Sequence, residues 1–252
     1  MPAPRPRPDS PKPGLLVAGT DTGVGKTLVS CALLQTARRL GAPLLPFKPS
    51  ESGCRGGHPR DAAALRSAAG RRELRLEQIC PYPFRPPVAP AAAARLAGQT
   101  LSLSKILRAG RRLSREAPLL VEGAGGLLSP YASQLTAADL AIALDLPVLL
   151  IARNALGTIN HTALALAELR RRRIPLLGLI LVTTQPGRGL AAQQNPALIQ
   201  ELSGTTPDAV IPYFGQRPGP QLSAHLDRSG VAQAILRRAK ILRKVALSTA
   251  TD

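Results

Sequence analysis

Tryptophan is absent, and three Tyr and three Phe are the whole aromatic content of 252 residues. A surface that stacks nucleic-acid bases on aromatic rings is therefore not expected. Cysteine is scarce as well: Cys31, Cys54 and Cys80 are odd in number and lack C-x-x-C spacing. Neither a disulfide framework nor a zinc site follows from them. No apolar run nears the ~20 residues that a membrane-spanning helix needs. The first residues are rich in Pro and Arg and carry no apolar segment of a secretory signal. A cytoplasmic protein, with no membrane partner, is the expectation.

Acidic residues are few, fifteen against thirty-three basic ones, which leaves a net charge of +18. Such a charge attracts polyanions nonspecifically. The basic residues are scattered, however: Arg71-Arg72, Arg111-Arg112, the run Arg170, Arg171, Arg172 and Arg173, then Arg237-Arg238, Lys240 and Arg243-Lys244. Most read as solvated helix faces or helix C-termini, where cations are favoured. An Ala/Arg/Pro/Leu bias along the whole chain accounts for them too, so nucleic acid is not the expected partner. Lysine is the rare cation, with only Lys12, Lys26, Lys48, Lys105, Lys240 and Lys244. Where Arg serves almost everywhere, a Lys inside a glycine loop marks a place that needs a compact ammonium. Lys26 and Lys48 stand in such settings.

Hydrophobic residues make up 44% of the chain, enough for a sizeable core. Residues 1–13, with Pro at alternate positions, read as a disordered tail. Residues 14–247 read as one domain and 248–252 as a flexible end. Apolar runs predict strands at 14–19, 44–47, 118–121, 147–152, 176–182 and 208–211. Helices are predicted at 25–40, 61–69, 101–115, 136–144, 158–173, 196–202 and 229–247, and 81–90 reads as a proline-dense connector without regular structure. Strands apolar throughout, separated by helices, imply an α/β fold whose mostly parallel sheet is covered by helices on both faces.

Three segments carry chemistry. Residues 19–27, GTDTGVGKT, follow the first strand and open the first helix. That is the setting of a phosphate-binding loop, in which backbone N–H groups and the helix N-terminus face an anion, Lys26 meets the β- and γ-phosphates and the Thr27 hydroxyl reaches Mg²⁺. The first glycine sits one place early, because Thr20 occupies the usual slot. Residues 121–126, VEGAGG, end a strand at the edge where parallel sheets bind ligands. Glu122 there reads either as ordinary loop chemistry or, beside a phosphate loop, as a metal ligand. Residues 48–53, KPSESG, follow the second strand; Lys48 can enter the same cleft, or be a surface lysine. Asp61 opens a helix and reads on its own as an N-terminal charge.

Together with Leu156-Gly157-Thr158-Ile159-Asn160-His161, these motifs resemble dethiobiotin synthetases in order and separation, over about residues 14 to 215. The resemblance implies a P-loop NTPase-like fold and a Mg²⁺-dependent cyclo-ligase of biotin biosynthesis. Such an enzyme closes the ureido ring of dethiobiotin from 7,8-diaminononanoate, CO₂ and ATP, with other nucleoside triphosphates as possible co-substrates. It implies that Gly23, Val24, Gly25, Lys26, Thr27 and Leu28 hold the triphosphate, and that Thr27, Asp61 and Glu122 bind Mg²⁺. Lys48 matches the active-site lysine of the family, and Lys26 joins it in catalysis. Glu122, Gly123, Ala124 and Gly125 line the nucleotide site, and Ser52 contacts the substrate. Gly157, Thr158, Ile159 and Asn160 are implied to receive the substrate carboxylate across a homodimer interface, at a helix N-terminus whose free N–H donors suit an anion.

Two departures from the family stand on the base side. Val182-Thr183 replaces the usual Asn-Asp pair, and Val182 has no side-chain hydrogen-bonding group. Ile211-Pro212-Tyr213 matches the second base-side segment, but the acidic residue that usually follows has no counterpart in Phe214-Gly215-Gln216-Arg217. Relaxed base selectivity is the expectation. The rival reading is a partition-type P-loop regulatory ATPase that binds DNA nonspecifically. Against it, Asp21 stands where those proteins resembling this one place a signature Lys. A catalytically silent binding protein is a third reading, opposed by the joint presence of Lys26, Thr27, Lys48, Asp61 and Glu122.

Overall fold

Residue 14 begins a strand whose next three residues, Leu15, Leu16 and Val17, have no exposed surface at all. Burial on both faces explains why an unbroken apolar run, not an alternating one, forms this element. The computed structural model describes residues 14–132, 135–187, 189–215 and 219–242. The expected tail at 1–13 and the C-terminal segment beyond 242 lie outside them. The chain runs β1 (Gly14–Gly19), α1 (Lys26–Arg39), β2 (Leu45–Phe47), β3 (Glu51–Ser52), α2 (Arg60–Ala69), α3 (Leu76–Ile79), β4 (Pro83–Phe84), α4 (Pro90–Leu96), α5 (Leu103–Leu113) and β5 (Leu119–Gly126). It continues through β6 (Pro130–Ala132), β7 (Leu135–Thr136), α6 (Ala137–Leu144), β8 (Val148–Arg153), α7 (Thr158–Arg171), β9 (Leu176–Val182), α8 (Leu190–Ser203), β10 (Ala209–Ile211), α9 (Gly219–Arg228) and α10 (Val231–Arg238).

The main sheet has six strands in the order β10-β9-β8-β1-β5-β2, and every pairing in it is parallel. Alternate residues of each strand serve opposite faces. Leu15 and Val17 pack with α1, α2, α9 and α10, while Leu16 and Ala18 pack with residues of α5, α6, α7 and α8. The mostly parallel, doubly covered sheet expected from the sequence is therefore the observed one. Register then places the functional ends side by side. Val17 pairs with Glu122, Phe47 with Val121, Gly19 with Ile151, and Val182 with Arg153 and Ile211. All six strands end at one edge, the edge at which open parallel sheets bind ligands.

Four sequence expectations need correction. The connector at 81–90 is not irregular throughout: Pro83–Phe84 pairs with Glu51–Ser52, and Pro90 starts α4 at a first-turn position where its missing N–H is harmless. The short helix α3 was not anticipated. Helix α8 begins at Leu190 rather than at Pro196, so Pro196 lies inside it. The final helix expected at 229–247 is the shorter α10, which follows Gly230, in the left-handed conformation, and ends at Arg238; α9, which ends at Arg228 before it, was not anticipated.

Candidate functional site

Helix α1 begins at Gly25, which has φ 101° and offers no side-chain cap, and its first turn carries no acid. Its leading N–H groups and its positive end are thus open to an anion. Two glycines make the loop possible. A Cβ on Gly19 would sit 2.8 Å from Lys26 Nζ and 2.7 Å from the Asp21 carbonyl. One on Gly25 would press within 3.0 Å of Val182 Cγ1, at a φ that side chains rarely tolerate. Lys26 Nζ donates to the Asp21 carbonyl at 2.8 Å, so the ammonium folds over its own loop. Burial pulls Lys26 down to about 8, partly opposed by Glu122, with repulsion from Lys48 adding to the fall.

Beside it lies a network that the sheet register builds. Lys48 follows β2, next to β5, and its Nζ lies 2.5 Å from Glu122 Oε1 and 3.1 Å from Asp61 Oδ2. Thr27 Oγ1 donates to the same Glu122 oxygen at 2.8 Å. Burial on its own would lower Lys48, but the Glu122 and Asp61 carboxylates outweigh it and hold the ammonium above the usual lysine range. Glu122 is wholly buried, and its second oxygen, Oε2, has no hydrogen-bond partner. An unpartnered buried carboxylate oxygen is costly unless something else comes to it. With the Thr27 hydroxyl and Asp61 alongside, this all-oxygen donor set fits Mg²⁺, which takes one or two carboxylates and completes its shell with phosphates and water.

These groups line one cleft of about 640 Å³, together with Gly23, Gly25, Leu28, Ser52, Ala124 and Gly125. The structure thus brings Lys26, Thr27, Lys48, Asp61 and Glu122 together. Ser52 Oγ is buried there without a partner. Val182, Thr183, Ile211, Pro212 and Tyr213 line an adjoining cavity of about 360 Å³ that shares Gly23, Gly25 and Leu28 with the first. Val24, with no exposed surface, and Gly123 line neither. Gly157, Thr158, Ile159 and Asn160 also lie outside both, at the start of α7. That helix opens as α1 does, on a left-handed glycine with no side-chain cap and no acid in its first turn.

Sequence reasoning passed over several residues of the site. Glu51 accepts from the N–H groups of Asp61 at 2.9 Å and Ala62 at 3.0 Å, capping α2 from a distance and so orienting Asp61. Burial raises its carboxyl, against those two hydrogen bonds. Arg153 Nη2 donates to the Thr22 carbonyl at 3.2 Å from behind the loop, which turns the Gly23 N–H away from Arg153. Tyr131 Oη accepts from Ala124 N, and Ser129 Oγ from Gly126 N, each at 2.7 Å, fixing the glycine run after Glu122. Pro87, Val88, Ala89 and Pro90 wall the cleft. Only Pro90 carried a sequence signal, the preference of proline for a first helical turn. Burial lifts the Cys31, Cys54 and Cys80 thiols to about 12, 11 and 12, which disfavours the thiolate nucleophile. No helix among the described residues is long and apolar enough to cross a membrane.

Comparison with known proteins adds to this geometry. The AAA domain family matches residues 13–219. A protein of Anaeromyxobacter dehalogenans (strain 2CP-C), named ATP-dependent dethiobiotin synthetase BioD, is 50% identical over 201 residues, 79% of this chain and 90% of that one. The protein of the same name from Bacillus thuringiensis (strain Al Hakam) is 37% identical over 203 residues, 80% and 84% of the two chains. Among solved structures, the MinD cell division protein of Aquifex aeolicus has a TM-score of 0.51 at 12% identity, covering 91% of this chain and 96% of that one. Its MinC:MinD complex gives 0.53 at 11%, covering 91% and 94%. Those two likenesses speak for the fold alone.

Proposed function

Because this chain belongs to the ATP-dependent dethiobiotin synthetases, we propose that its two joined cavities hold the reactants of ureido-ring closure: a nucleoside triphosphate along the phosphate loop and a diamine beside Lys48. The chain is an ATP-dependent ligase of biotin biosynthesis, and the regulatory DNA-binding ATPase is not favoured. In our reading one amine of 7,8-diaminononanoate adds CO₂ to form a carbamate and releases a proton. A carbamate oxygen attacks the γ-phosphorus, and the bond to the β-phosphate oxygen breaks. The second amine then attacks the carbonyl of the mixed anhydride, phosphate leaves, and the ring closes with loss of a proton. Such a reaction asks a protein for positioning and charge neutralisation rather than a covalent group.

The observation that carries this reading is the single cleft faced by Lys26, Thr27, Lys48, Asp61 and Glu122. Lys26 and the uncapped start of α1 hold the triphosphate. Lys48, exchanging one carboxylate for a phosphoryl oxygen, steadies the transferring group. Thr27, Asp61 and Glu122 would hold Mg²⁺, which would neutralise charge on the triphosphate. Ser52, with its unpartnered hydroxyl, meets the diamine end of the substrate. Gly157, Thr158, Ile159 and Asn160 receive the substrate carboxylate bound at the neighbouring chain of a homodimer in the cytoplasm. The test is a phosphate-release assay with and without diamine and bicarbonate. Release that requires both, with one dethiobiotin per phosphate, is the expected result. ATP-dependent, salt-sensitive DNA binding without diamine-dependent turnover would favour the regulatory ATPase instead.

Two further outcomes follow from the two cavities. On the base side, the Val182 side chain packs against Gly25 and offers no hydrogen bond. ATP, GTP and CTP are therefore expected to differ by less than about 10³ in kcat/KM; a larger preference for ATP is on the scale of dedicated hydrogen-bond readout and would refute weak selectivity. On the phosphate side, burial holds Lys26 down at about 8. A bound triphosphate raises its proton affinity, so its contribution to binding is complete below about pH 8 and declines as pH rises from there. The KM for ATP should climb as pH rises above about 8, and a flat profile there would remove Lys26 from phosphate binding.

A further inference from the structure

Helix α8 carries Pro196 in its interior. Proline has no N–H, so the carbonyl four residues back, that of Ala192, loses its helical donor. The donor comes from elsewhere: Asn154 Nδ2 reaches Ala192 O at 3.0 Å. Asn154 Oδ1 in turn accepts from Asn195 Nδ2 at 2.9 Å, and that same Nδ2 donates to the Ala155 carbonyl at 3.1 Å. Both amide orientations are dictated by this arrangement, since each Nδ2 faces a main-chain carbonyl that can only accept. The pair is buried, with Asn154 5% and Asn195 2% exposed.

The network fastens one particular stretch of chain. The Ala155 carbonyl also accepts from Thr158 N at 3.2 Å, and Asn154 N donates to the Val182 carbonyl at 2.8 Å. The turn entering α7 is thus tied to β9 on one side and to α8 on the other. His161 N bonds back to the Gly157 carbonyl, which leaves the N–H groups of Ile159 and Asn160 as the free donors of the helix start. A proline that breaks one helix therefore supplies the anchor that aims the open end of the next.

We propose that Asn154 and Asn195 are positioning residues that set the α7 N-terminus for the substrate carboxylate, with the Ala192 carbonyl freed by Pro196 as their anchor. The inference rests on the reading that this helix start receives that carboxylate. A purely structural role would serve only to satisfy buried polar atoms, and the two roles separate experimentally. Asn195→Ala should raise the KM for 7,8-diaminononanoate about tenfold while the KM for ATP changes less than about twofold, because misplacing a binding group by a fraction of an ångström is felt only by the substrate it aims at. In Asn154→Ala the Ala192 carbonyl is orphaned. Adding Pro196→Ala returns a helical N–H to that carbonyl, so the double variant should regain the thermal midpoint lost by Asn154→Ala yet keep the raised diamine KM. Recovery of both would overturn the proposal, and so would an unchanged diamine KM in folded Asn195→Ala. Should Asn195→Ala fail to fold, the Asn154→Ala and Pro196→Ala pair decides. A third variant isolates the underlying reading: Asn160→Asp brings a like charge to the carboxylate and should raise the diamine KM more than tenfold. If it does and the asparagine variants do not, only the positioning role falls. If it leaves the KM unchanged, the carboxylate assignment falls and the proposal with it.

Discussion

Lys48→Met is expected to stop ring closure, lowering turnover by about 10³ or more, while changing nucleotide affinity less than about fivefold. The expectation comes from where the ammonium sits. Lys48 lies between Asp61 and Glu122, while in the proposed reading the loop N–H groups and Lys26 hold the triphosphate. Removing it takes away charge that is useful chiefly while the phosphoryl group is in transit. The substitution also leaves Glu122, which has no exposed surface, without its cation. Breaking a buried pair by deleting one partner is destabilising by about 3–5 kcal/mol. Loss of turnover could then reflect loss of fold, and a second variant separates them. Lys48→Met combined with Glu122→Gln removes both charges, and should regain most of the stability without regaining turnover. Denaturant midpoints, turnover and nucleotide binding on the three proteins form the measurement. Retained turnover in Lys48→Met would exclude the lysine from the reaction.

The second large effect belongs to Glu122→Gln alone. One oxygen of Glu122 serves Thr27 and Lys48, and the other has no protein partner. An amide at this position keeps the size but presents only one acceptor oxygen and no charge. The Mg²⁺ concentration needed for half-maximal turnover is expected to rise about 100-fold, and turnover at saturating Mg²⁺ to fall by about 10² or more. Asp61→Asn, on a carboxylate that is partly solvent-exposed, should shift the Mg²⁺ requirement in the same direction by less. A Mg²⁺ titration of the three proteins under identical ATP is decisive. An unshifted midpoint in Glu122→Gln would show that its free oxygen does not serve the metal.

Much of this site could be read before any coordinates. The glycine loop and its Lys26-Thr27 pair lie within nine consecutive residues, and their chemistry depends only on local geometry: a strand, a tight turn and a helix start. Glu122 and Lys48 were recognisable because each follows an apolar strand, and strand ends in a parallel sheet collect at one edge. Glu51 stands within KPSESG, yet the sequence does not show what it does. Its function is to cap a helix that begins eight residues after its own strand, and no periodicity announces a cap supplied from that distance. Arg153 was missed for a similar reason, since one arginine among many carries no mark until β8 is known to lie beside β1.

Helix α8 illustrates the limit from the other side. Proline within a helical pattern argues for a boundary, because it removes a donor and crowds the preceding turn. The helix runs through Pro196 all the same, and the carbonyl left open is met by Asn154, thirty-eight residues away in sequence. Composition and spacing determined the class of fold, the phosphate loop, and the edge at which the chemistry gathers, since those depend on residues close along the chain. The tertiary structure decided which carboxylate holds which ammonium, what orients Asp61, and what secures the start of α7. Those pairings depend on which strands become neighbours, and a parallel sheet makes neighbours of strands that are far apart in sequence.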